Sequence, residues 1–530
     1  MRRLYTHGKI YRGQSRFASE MLVEDGRIVA VGESLPTEGA EVVDLEGHTV
    51  LPGLNDSHLH LQMFGASLET VNLTGAKSIE DVIAITKDFI AKRNLGPGAV
   101  VRGQGWNQDN FTSGEVRLLE AKDLDRISTE IPILLERVCV HITALNTKAM
   151  GLIENLEERE VPGGEIRRDD EGRLSGIFTE NACALARSIL PEAKKEDIRR
   201  QIDAAIDYCL SVGITSVQSC DVMGPDYPLI TEVLDEIYAE NPRLRYDPQF
   251  NFQNLEGVKD YVKNYYRREV YDDEMYTRGS WKLFKDGSLG ARTALMRKPY
   301  ADDSSTTGVS ALSQETLEEM VRYAEGEGLR ITTHAIGDGA VQSLIDAYAL
   351  AEEGNPLRHG IVHNQITTRE QIEEEARRKI TIHYQPIFLD YDLRIVTDRV
   401  GLELAKTSYA FKSLIDLDAD LVSFGTDAPV ENPNPFPCIQ CAITRQTLSG
   451  YPEGGFAPEE RVSVEEAIDA YTYGSAYAQG KETIKGRLEE GYLADFIVLD
   501  RDIFTIAPEE VKEVKVLQSV VGGEIVYTRA

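Results

Sequence analysis

The chain has 530 residues, of which 42% are apolar and 27% are charged, a composition typical of a soluble globular protein. Its formal net charge of -31 argues against a nucleic acid or an anionic membrane surface as a partner. The sequence has no apolar run near the roughly 18 residues that span a bilayer, and its start lacks the apolar segment of a signal peptide. Its six scattered cysteines are typical of reduced thiols, so we expect a cytoplasmic protein.

The two ends of the chain share a pattern of short predicted strands. In residues 1–50, apolar and polar positions alternate between Gly-rich turns, and residues from about 484 to 530 repeat this pattern, beginning with Gly486–Leu488. We therefore predict one small β-domain that combines residues 1–52 with residues 484–530.

The run LPGLNDSHLHL, at residues 51–61, combines a turn signal with two histidines on a predicted buried strand. His58 and His60 are two positions apart, so on a strand their imidazoles project from the same face and can reach one metal ion. The chain has only nine histidines, which argues against a chance pair. The run therefore predicts half of a metal site.

The middle of the chain, residues 53–483, alternates predicted strands with predicted helices. Seven strands follow the H-x-H strand, and they are Ile214–Cys220, Leu244–Phe252, Trp281–Asp286, Arg330–Ile336, Gly360–Gln365, Ile380–Gln385 and Leu421–Asp427. Eight strands separated by helices indicate a (β/α)8 barrel. A gap of about 150 residues after the first strand predicts an insertion, at about residues 65–185, over the barrel mouth.

Residues that can bind a metal recur at the strand positions where barrel enzymes place their working side chains, the carboxyl ends. Four of them join the histidine pair, and they are Lys282 in the fourth strand, His334 in the fifth, His363 in the sixth and Asp427 in the eighth. A single histidine on a strand is more often a hydrogen-bonded core residue. Chance placement in the core does not explain six metal-binding residue types at the carboxyl ends of the predicted strands.

Imidazole nitrogens and carboxylate oxygens without thiolates favour a hard or borderline divalent ion, such as zinc, iron or manganese. Such an ion lowers the pKa of a bound water from about 15.7 to about 7 and polarises a substrate carbonyl. Asp427 is then the candidate general base, which moves the proton of the water to the leaving group. The ligand set therefore predicts metal-dependent hydrolysis by an activated hydroxide.

Four motifs resemble those of the amidohydrolase superfamily, and they are PGLNDSHLHL, HAIGD, RHGIVHNQ and FGTDAPVENP. Three further runs, KLFKDGSLGARTALM, GGEIRRDDEGRLSGIFTE and EGYLADFIVLD, resemble the branch that contains N-substituted formamide deformylase (amidohydrolase family 3). The resemblance covers residue 1 to about 527. It implies a distorted TIM barrel with a composite β-sandwich, and hydrolysis of an amide or N-substituted formamide C–N bond.

The resemblance also implies that a strand lysine can be carboxylated to bridge two metal ions. Lys282 and Lys285 compete for this role, and Lys282 aligns with the family's lysine in the K-x-F-x-D-G run. The alternative is an unmodified lysine and a mononuclear centre of His58, His60, Asp427 and either His334 or His363. We expect one or two divalent ions, with zinc as the first candidate.

Four further residues are candidates for substrate binding. Trp106, His141 and Glu180 lie in the predicted insertion, and Gln385 ends the predicted seventh strand. Relatives typically have a glycine directly before the histidine that corresponds to His141, and this chain has Val140 there. Each of the four also has a plain structural interpretation as a core, capping or ligand-orienting residue.

Three alternative functions remain open from the sequence. A deaminase on the same scaffold is disfavoured because no glutamate follows His334 closely. An esterase or cyclic amidase would use the same ligands, whereas a non-catalytic barrel would be expected to lack some of them. We expect a small-molecule substrate whose identity the sequence does not give, and the oligomeric state is open, with a homo-oligomer among the options.

Overall fold

The computed structural model describes residues 2–139, 141–224, 227–268 and 274–530. The chain forms two compact units, one of Met1–Phe64 with Ile202–Ala530 and one of Gly65–Gln201. Within the described ranges, no helix combines the length and the apolar character that crossing a lipid bilayer requires.

Eight parallel strands of the first unit form one sheet in which each strand pairs with the next along the chain. They are Leu54–Leu59, Ile214–Ser219, Arg245–Asn251, Ser280–Phe284, Ile331–Ala335, Gly360–His363, Thr381–Tyr384 and Val422–Phe424. Two backbone hydrogen bonds join the carboxyl ends of the first and last strands, from Asp427 N to His58 O at 2.8 Å and from His60 N to Ala428 O at 2.7 Å. The predicted (β/α)8 barrel is confirmed.

The last seven strands end one to three residues earlier than the sequence predicts. The backbone turns away at the last residue of the sixth strand, His363, with φ 80°, and at Asp427, three residues after the eighth strand, with φ 57°. Gly425 lets the eighth strand approach the first, since a Cβ there would lie 2.6 Å from Asp56 Oδ1 and 2.7 Å from His58 N.

Helices alternate with the barrel strands, and their ends follow ordinary capping rules. Ser313 caps the amino end of Gln314–Glu327, and Gly328 closes it in the left-handed conformation. Four described α-helices lie entirely within the second unit. The remaining described α-helices are Leu61–Leu68, Lys195–Ser211, Tyr227–Glu240, Leu255–Tyr261, Asp338–Tyr348, Arg369–Arg378, Leu389–Asp392, Val396–Val400, Leu402–Ala405, Phe411–Asp418, Pro435–Thr444, Val464–Asp469 and Ser475–Ala478.

The chain ends form two sheets that share one core, as predicted for a composite β-sandwich. One sheet contains Arg2–Thr6, Glu20–Glu24, Arg27–Gly32 and Glu41–Asp44, and the other contains Lys9–Gly13, Arg16–Ala18, Thr49–Pro52, Phe496–Leu499, Val516–Val521 and Glu524–Thr528. Tyr5 and Met21 of the first sheet pack in the same buried cluster as Phe496 and Val520 of the second. The predicted strand at Gly486–Leu488 is wrong, because Gly486 has φ 92° and makes a turn.

The second unit, Gly65–Gln201, has its own six-stranded sheet and short helices. The strands are Val71–Asn72, Val101–Trp106, Ile133–Arg137, Ile142–Leu145, Gly164–Arg168 and Leu174–Glu180, and the helices are Ile79–Lys92, Ala121–Asp125, Thr147–Met150 and Ala182–Arg187. Ile133 and Leu135 belong to one buried cluster and Leu134 to another, so both faces of the sheet are covered. The domain limits derived from the sequence stay a prediction.

Candidate metal centre

Three buried side chains converge at the carboxyl ends of the first, sixth and eighth barrel strands. One ligand atom from each of His58, His363 and Asp427 can be chosen so that all lie within 4.8 Å of one another. Oδ1 of Asp427 lies 3.3 Å from Nε2 of His58 and 3.4 Å from Nε2 of His60. The histidine pair and the aspartate therefore meet where the barrel closes.

Lys282 lies inside the same cluster and Lys285 lies outside it. Nζ of Lys282 is 2.9 Å from Nε2 of His58, and the residue is fully buried. Nζ of Lys285 instead donates hydrogen bonds to Ser310 Oγ at 3.0 Å and to Leu312 O at 2.5 Å. Of the two lysines that compete in the sequence, only Lys282 can take part in this centre.

His334 lies beside His363, with the two ring centroids 4.5 Å apart. Its Nδ1 is 3.0 Å from Asp286 Oδ1 but is not aligned for a hydrogen bond, so this buried nitrogen has no hydrogen-bond partner in the described structure. The Asp286 carboxylate accepts hydrogen bonds from backbone N–H groups of the two loops around it, including that of Gly337 at 2.9 Å. Asp286 thus joins the loop after the fourth strand to the loop that directly follows the strand of His334.

Three imidazoles are oriented by acceptors on their Nδ1 side. The Nδ1 of His58 lies 2.5 Å from Gln249 Oε1, that of His60 lies 2.9 Å from Cys220 O, and that of His363 lies 2.7 Å from Gln385 Oε1. With hydrogen on Nδ1, a neutral ring keeps Nε2 as a free lone pair, the usual arrangement of metal-binding histidines. His58 and His363 fit this state, because burial lowers the pKa of both rings.

Gln249 is the residue of this centre that the sequence analysis missed. It is fully buried on the third barrel strand, and its Nε2 also donates to Ser57 O at 3.2 Å. The available signal was a polar residue at position 249 of the predicted strand, but Asn251, on the same face of the run YDPQFNF, carries the same signal. Such a residue needs a partner when it is buried, but the sequence alone does not say which one.

Electrostatics keep most of the nitrogen donors neutral and the carboxylate charged. Burial and the nearby Lys282 lower the pKa of His58 to about 4, and burial lowers the pKa of Lys282. Burial alone would raise the pKa of Asp427, but the close contacts with His58 and His60 bring it well below its usual range. Burial alone would lower the pKa of His60, but the contacts with Asp427 and with Cys220 O outweigh it and raise this pKa to about 10.

The donor chemistry of this cluster fits a divalent ion. Neutral imidazole nitrogens and a charged carboxylate are ligands for zinc, iron or manganese, and their separations are short enough for a single ion to contact several. An unmodified, charged Lys282 would repel that ion, whereas a neutral or carboxylated lysine would not.

The four predicted substrate-binding residues occupy different surroundings. Gln385 contacts His363, as described above. His141 Nδ1 and Glu180 Oε2 are 2.8 Å apart on exposed side chains of the second unit. Trp106 is fully buried there, with Nε1 donating to Leu135 O at 3.2 Å. Val140 lies outside the described residues, and the substrate-binding roles stay predictions.

A barrel with imidazole and carboxylate side chains gathered at its carboxyl-terminal face is the architecture of a class of metal-dependent hydrolases to which this chain is similar. Two solved structures share this fold over nearly the whole chain. An uncharacterized metal-dependent hydrolase from Pyrococcus horikoshii OT3 is 28% identical with a TM-score of 0.77, covering 96% of this chain and 99% of that one. One from Pyrococcus furiosus is 30% identical with a TM-score of 0.77, covering 95% and 100%.

The chain belongs to the amidohydrolase family, whose model matches residues 41–527. It is similar to the putative amidohydrolase YtcJ of Bacillus subtilis (strain 168), with 32% identity over 96% of both chains. It is also similar to the N-substituted formamide deformylase of Arthrobacter pascens, with 26% identity over 97% of this chain and 95% of that protein. The family resemblance predicted from the sequence motifs is confirmed.

Proposed function

We propose that this protein hydrolyses a carbon–nitrogen bond of an amide or an N-substituted formamide. The observation that carries the proposal is the convergence of His58, His363 and Asp427 ligand atoms within 4.8 Å. The deformylase relative acts on an N-substituted formamide, as its name states, and it aligns over nearly the whole chain. The proposed metal ligands are His58, His60, Lys282, His334, His363 and Asp427.

Asp427 is the proposed general base. Its low pKa keeps it as a carboxylate at neutral pH, so it can accept a proton from the attacking water and deliver it to the leaving nitrogen. A divalent ion, with zinc as the first candidate, would supply an acidified water and polarise the scissile carbonyl. Nε2 of His60, whose side chain is only slightly exposed, lies 3.4 Å from Asp427 Oδ1, close enough for one ion to contact both proposed ligands.

Lys282 is proposed to be carboxylated when two ions are bound. Its burial lowers the pKa of the amine, which increases the fraction with a free electron pair. That pair attacks the carbon of CO2, an N–C bond forms as one C=O π bond opens to give a carboxylate, and one proton passes from the nitrogen to solvent water. The resulting carboxylate replaces a repelling cation with two oxygen ligands. The alternative remains a mononuclear centre beside an unmodified lysine whose charge a neighbouring carboxylate neutralises.

A panel of N-formyl and N-acyl amines tests the proposed reaction. The purified protein is supplied with zinc or manganese, and the release of amine is followed with an amine-reactive reagent. We expect turnover of at least one N-formyl or N-acyl class, lost in Asp427→Asn. Turnover of esters or cyclic amides alone would contradict the proposed bond, and activity retained by Asp427→Asn would contradict the proposed base.

A further inference from the structure

A largely apolar cavity of about 270 Å3 opens beside the candidate metal centre, between the loops that follow barrel strands four to eight. Its walls include Leu289, Ile336, Phe388, Tyr391, Val430 and Glu431. The Phe388 ring stacks on His363 with 5.7 Å between centroids and 17° between planes, so one wall is shared with the metal cluster. Since an apolar cavity of about 150 Å3 accepts benzene, this one has room for a substituted ring.

Glu431 is a partly buried carboxylate at this apolar cavity. Within the described parts of the chain, neither a hydrogen bond nor an ion pair reaches it, and burial together with Asp390, Asp392 and Asp427 raises its pKa to about 7. Asp392 also lines the cavity but is already engaged, by Gln365 Nε2 at 2.9 Å and by the Tyr409 hydroxyl. Glu431 therefore has unused capacity to accept a hydrogen bond from a ligand.

We propose that this cavity binds the non-reacting end of the substrate, and that this end is a ring-sized apolar group carrying a basic amine that pairs with Glu431. The proposal rests on the proposed hydrolytic function of the adjacent centre. A cation would pair with a carboxylate that is partly removed from water, whereas a purely apolar ligand would bury it further without a partner. The neighbouring acids favour the cation through their own charge.

Binding of two ring-matched probes, benzylamine and benzyl alcohol, tests the charge pairing by calorimetry on the full-length protein as purified. In Glu431→Gln we expect benzylamine to bind about ten-fold more weakly, as for loss of a charged hydrogen bond, with benzyl alcohol almost unchanged. The exposed Glu453 provides a matched control, since Glu453→Gln removes the same charge elsewhere. Equal weakening of both probes by Glu431→Gln, or none of either, would overturn the proposal.

A second variant tests the cavity independently of the charge. A Cβ at Gly290 would lie 3.8 Å from Ile395 Cδ1 and 4.0 Å from Tyr391 Cε1, so Gly290→Leu fills the cavity without a backbone clash. We expect this variant to weaken both probes by a similar factor. Unchanged binding of both probes would place their site elsewhere and overturn the proposal.

A pair of N-benzylformamides, with a methyl or an aminomethyl group on the ring, separates this inference from the proposed reaction. We expect kcat/KM for the aminomethyl compound to fall selectively in Glu431→Gln. If both compounds are hydrolysed and Glu431→Gln affects them equally, the cation assignment fails and the hydrolytic function stands. If neither is hydrolysed but benzylamine binding still depends on Glu431, hydrolysis of this substrate class fails and the cavity assignment stands.

Discussion

Nζ of Lys282 lies 2.9 Å from Nε2 of His58, and both side chains are excluded from solvent. An ammonium group at this place would compete with a metal ion for the same lone pair and would repel the ion. Carboxylation of Lys282 would remove this repelling charge, so the proposed two-ion centre depends on the chemical state of Lys282.

Lys282→Met should lower the metal content from two ions to one if the lysine is carboxylated, because the bridging oxygens are lost. Elemental analysis of the folded protein measures this ratio. Lys285→Met is the matched control, since its Nζ bonds to Ser310 and Leu312 outside the cluster, and it should keep the wild-type ratio. An unchanged ratio in Lys282→Met would indicate a mononuclear centre.

Gln249→Leu should weaken metal binding, because His58 would lose the acceptor that orients its ring. Removal of such a partner typically lowers metal affinity about 10- to 100-fold. Competition with a fluorescent chelator measures the effect. Gln218→Leu is the control, because Gln218 is equally buried on the second strand but donates to Ser475 O. Equal losses in both variants would mean that Gln249 serves only packing.

Asp427→Asn should keep the metal and lose about 100- to 10,000-fold in turnover, the usual range for a general base. Asparagine tolerates the left-handed backbone at this position, where φ is 57°, and retains one carbonyl oxygen as a ligand. Metal content and kcat are measured on the same preparation. Loss of the metal together with activity would show that ligation, and not proton transfer, is the main role of this residue.

The sequence predicts the barrel well because its signals are local. Each strand is a short apolar run between turns, and the polar residue at its end marks the barrel face on which chemistry occurs. The predicted sixth and eighth strands run on past His363 and up to Asp427, because the residues after each apolar run look like its continuation. The left-handed backbone of His363 and Asp427 is set by tertiary contacts across the barrel, which no local pattern encodes.

The sequence predicts the candidate centre less completely than the barrel, because the centre depends on contacts between distant parts of the chain. His58 and His60 are recognisable from spacing alone, but the choice between Lys282 and Lys285 depends on which way a strand faces. The hydrogen bond from His58 to Gln249 joins residues 191 positions apart in the chain. The cavity at Glu431 is formed by five different loops, and its shape follows from their packing.

Glu375 provides a pH test outside the metal cluster. Burial raises its pKa to about 8, whereas an unfolded glutamate titrates near pH 4.3. Between these values the folded protein holds a proton that the unfolded chain has lost. The contribution of Glu375 to the free energy of unfolding is therefore fully present below about pH 4.3. This contribution is lost as the pH rises to about 8, by roughly 1.4 kcal/mol per pH unit.

Glu375→Gln should remove this dependence, because glutamine does not titrate. The Tm of the variant relative to wild type should therefore rise between pH 5.5 and pH 7.5, as measured by differential scanning calorimetry. Glu373→Gln, on the exposed face of the same helix, is the control and should show no such rise. A constant difference between Glu375→Gln and wild type across this range would contradict the assigned pKa shift.

The metal content of the protein, purified without chelator, tests the central claim most directly. The cluster of His58, His363 and Asp427 predicts one to two equivalents of a divalent ion, with zinc as the first candidate, and loss of hydrolysis when a chelator removes it. Restoring the ion should restore turnover of an N-acyl or N-formyl amine. Less than about a tenth of an equivalent, with no activity after reconstitution, would contradict a metal-dependent hydrolase and favour a non-catalytic barrel.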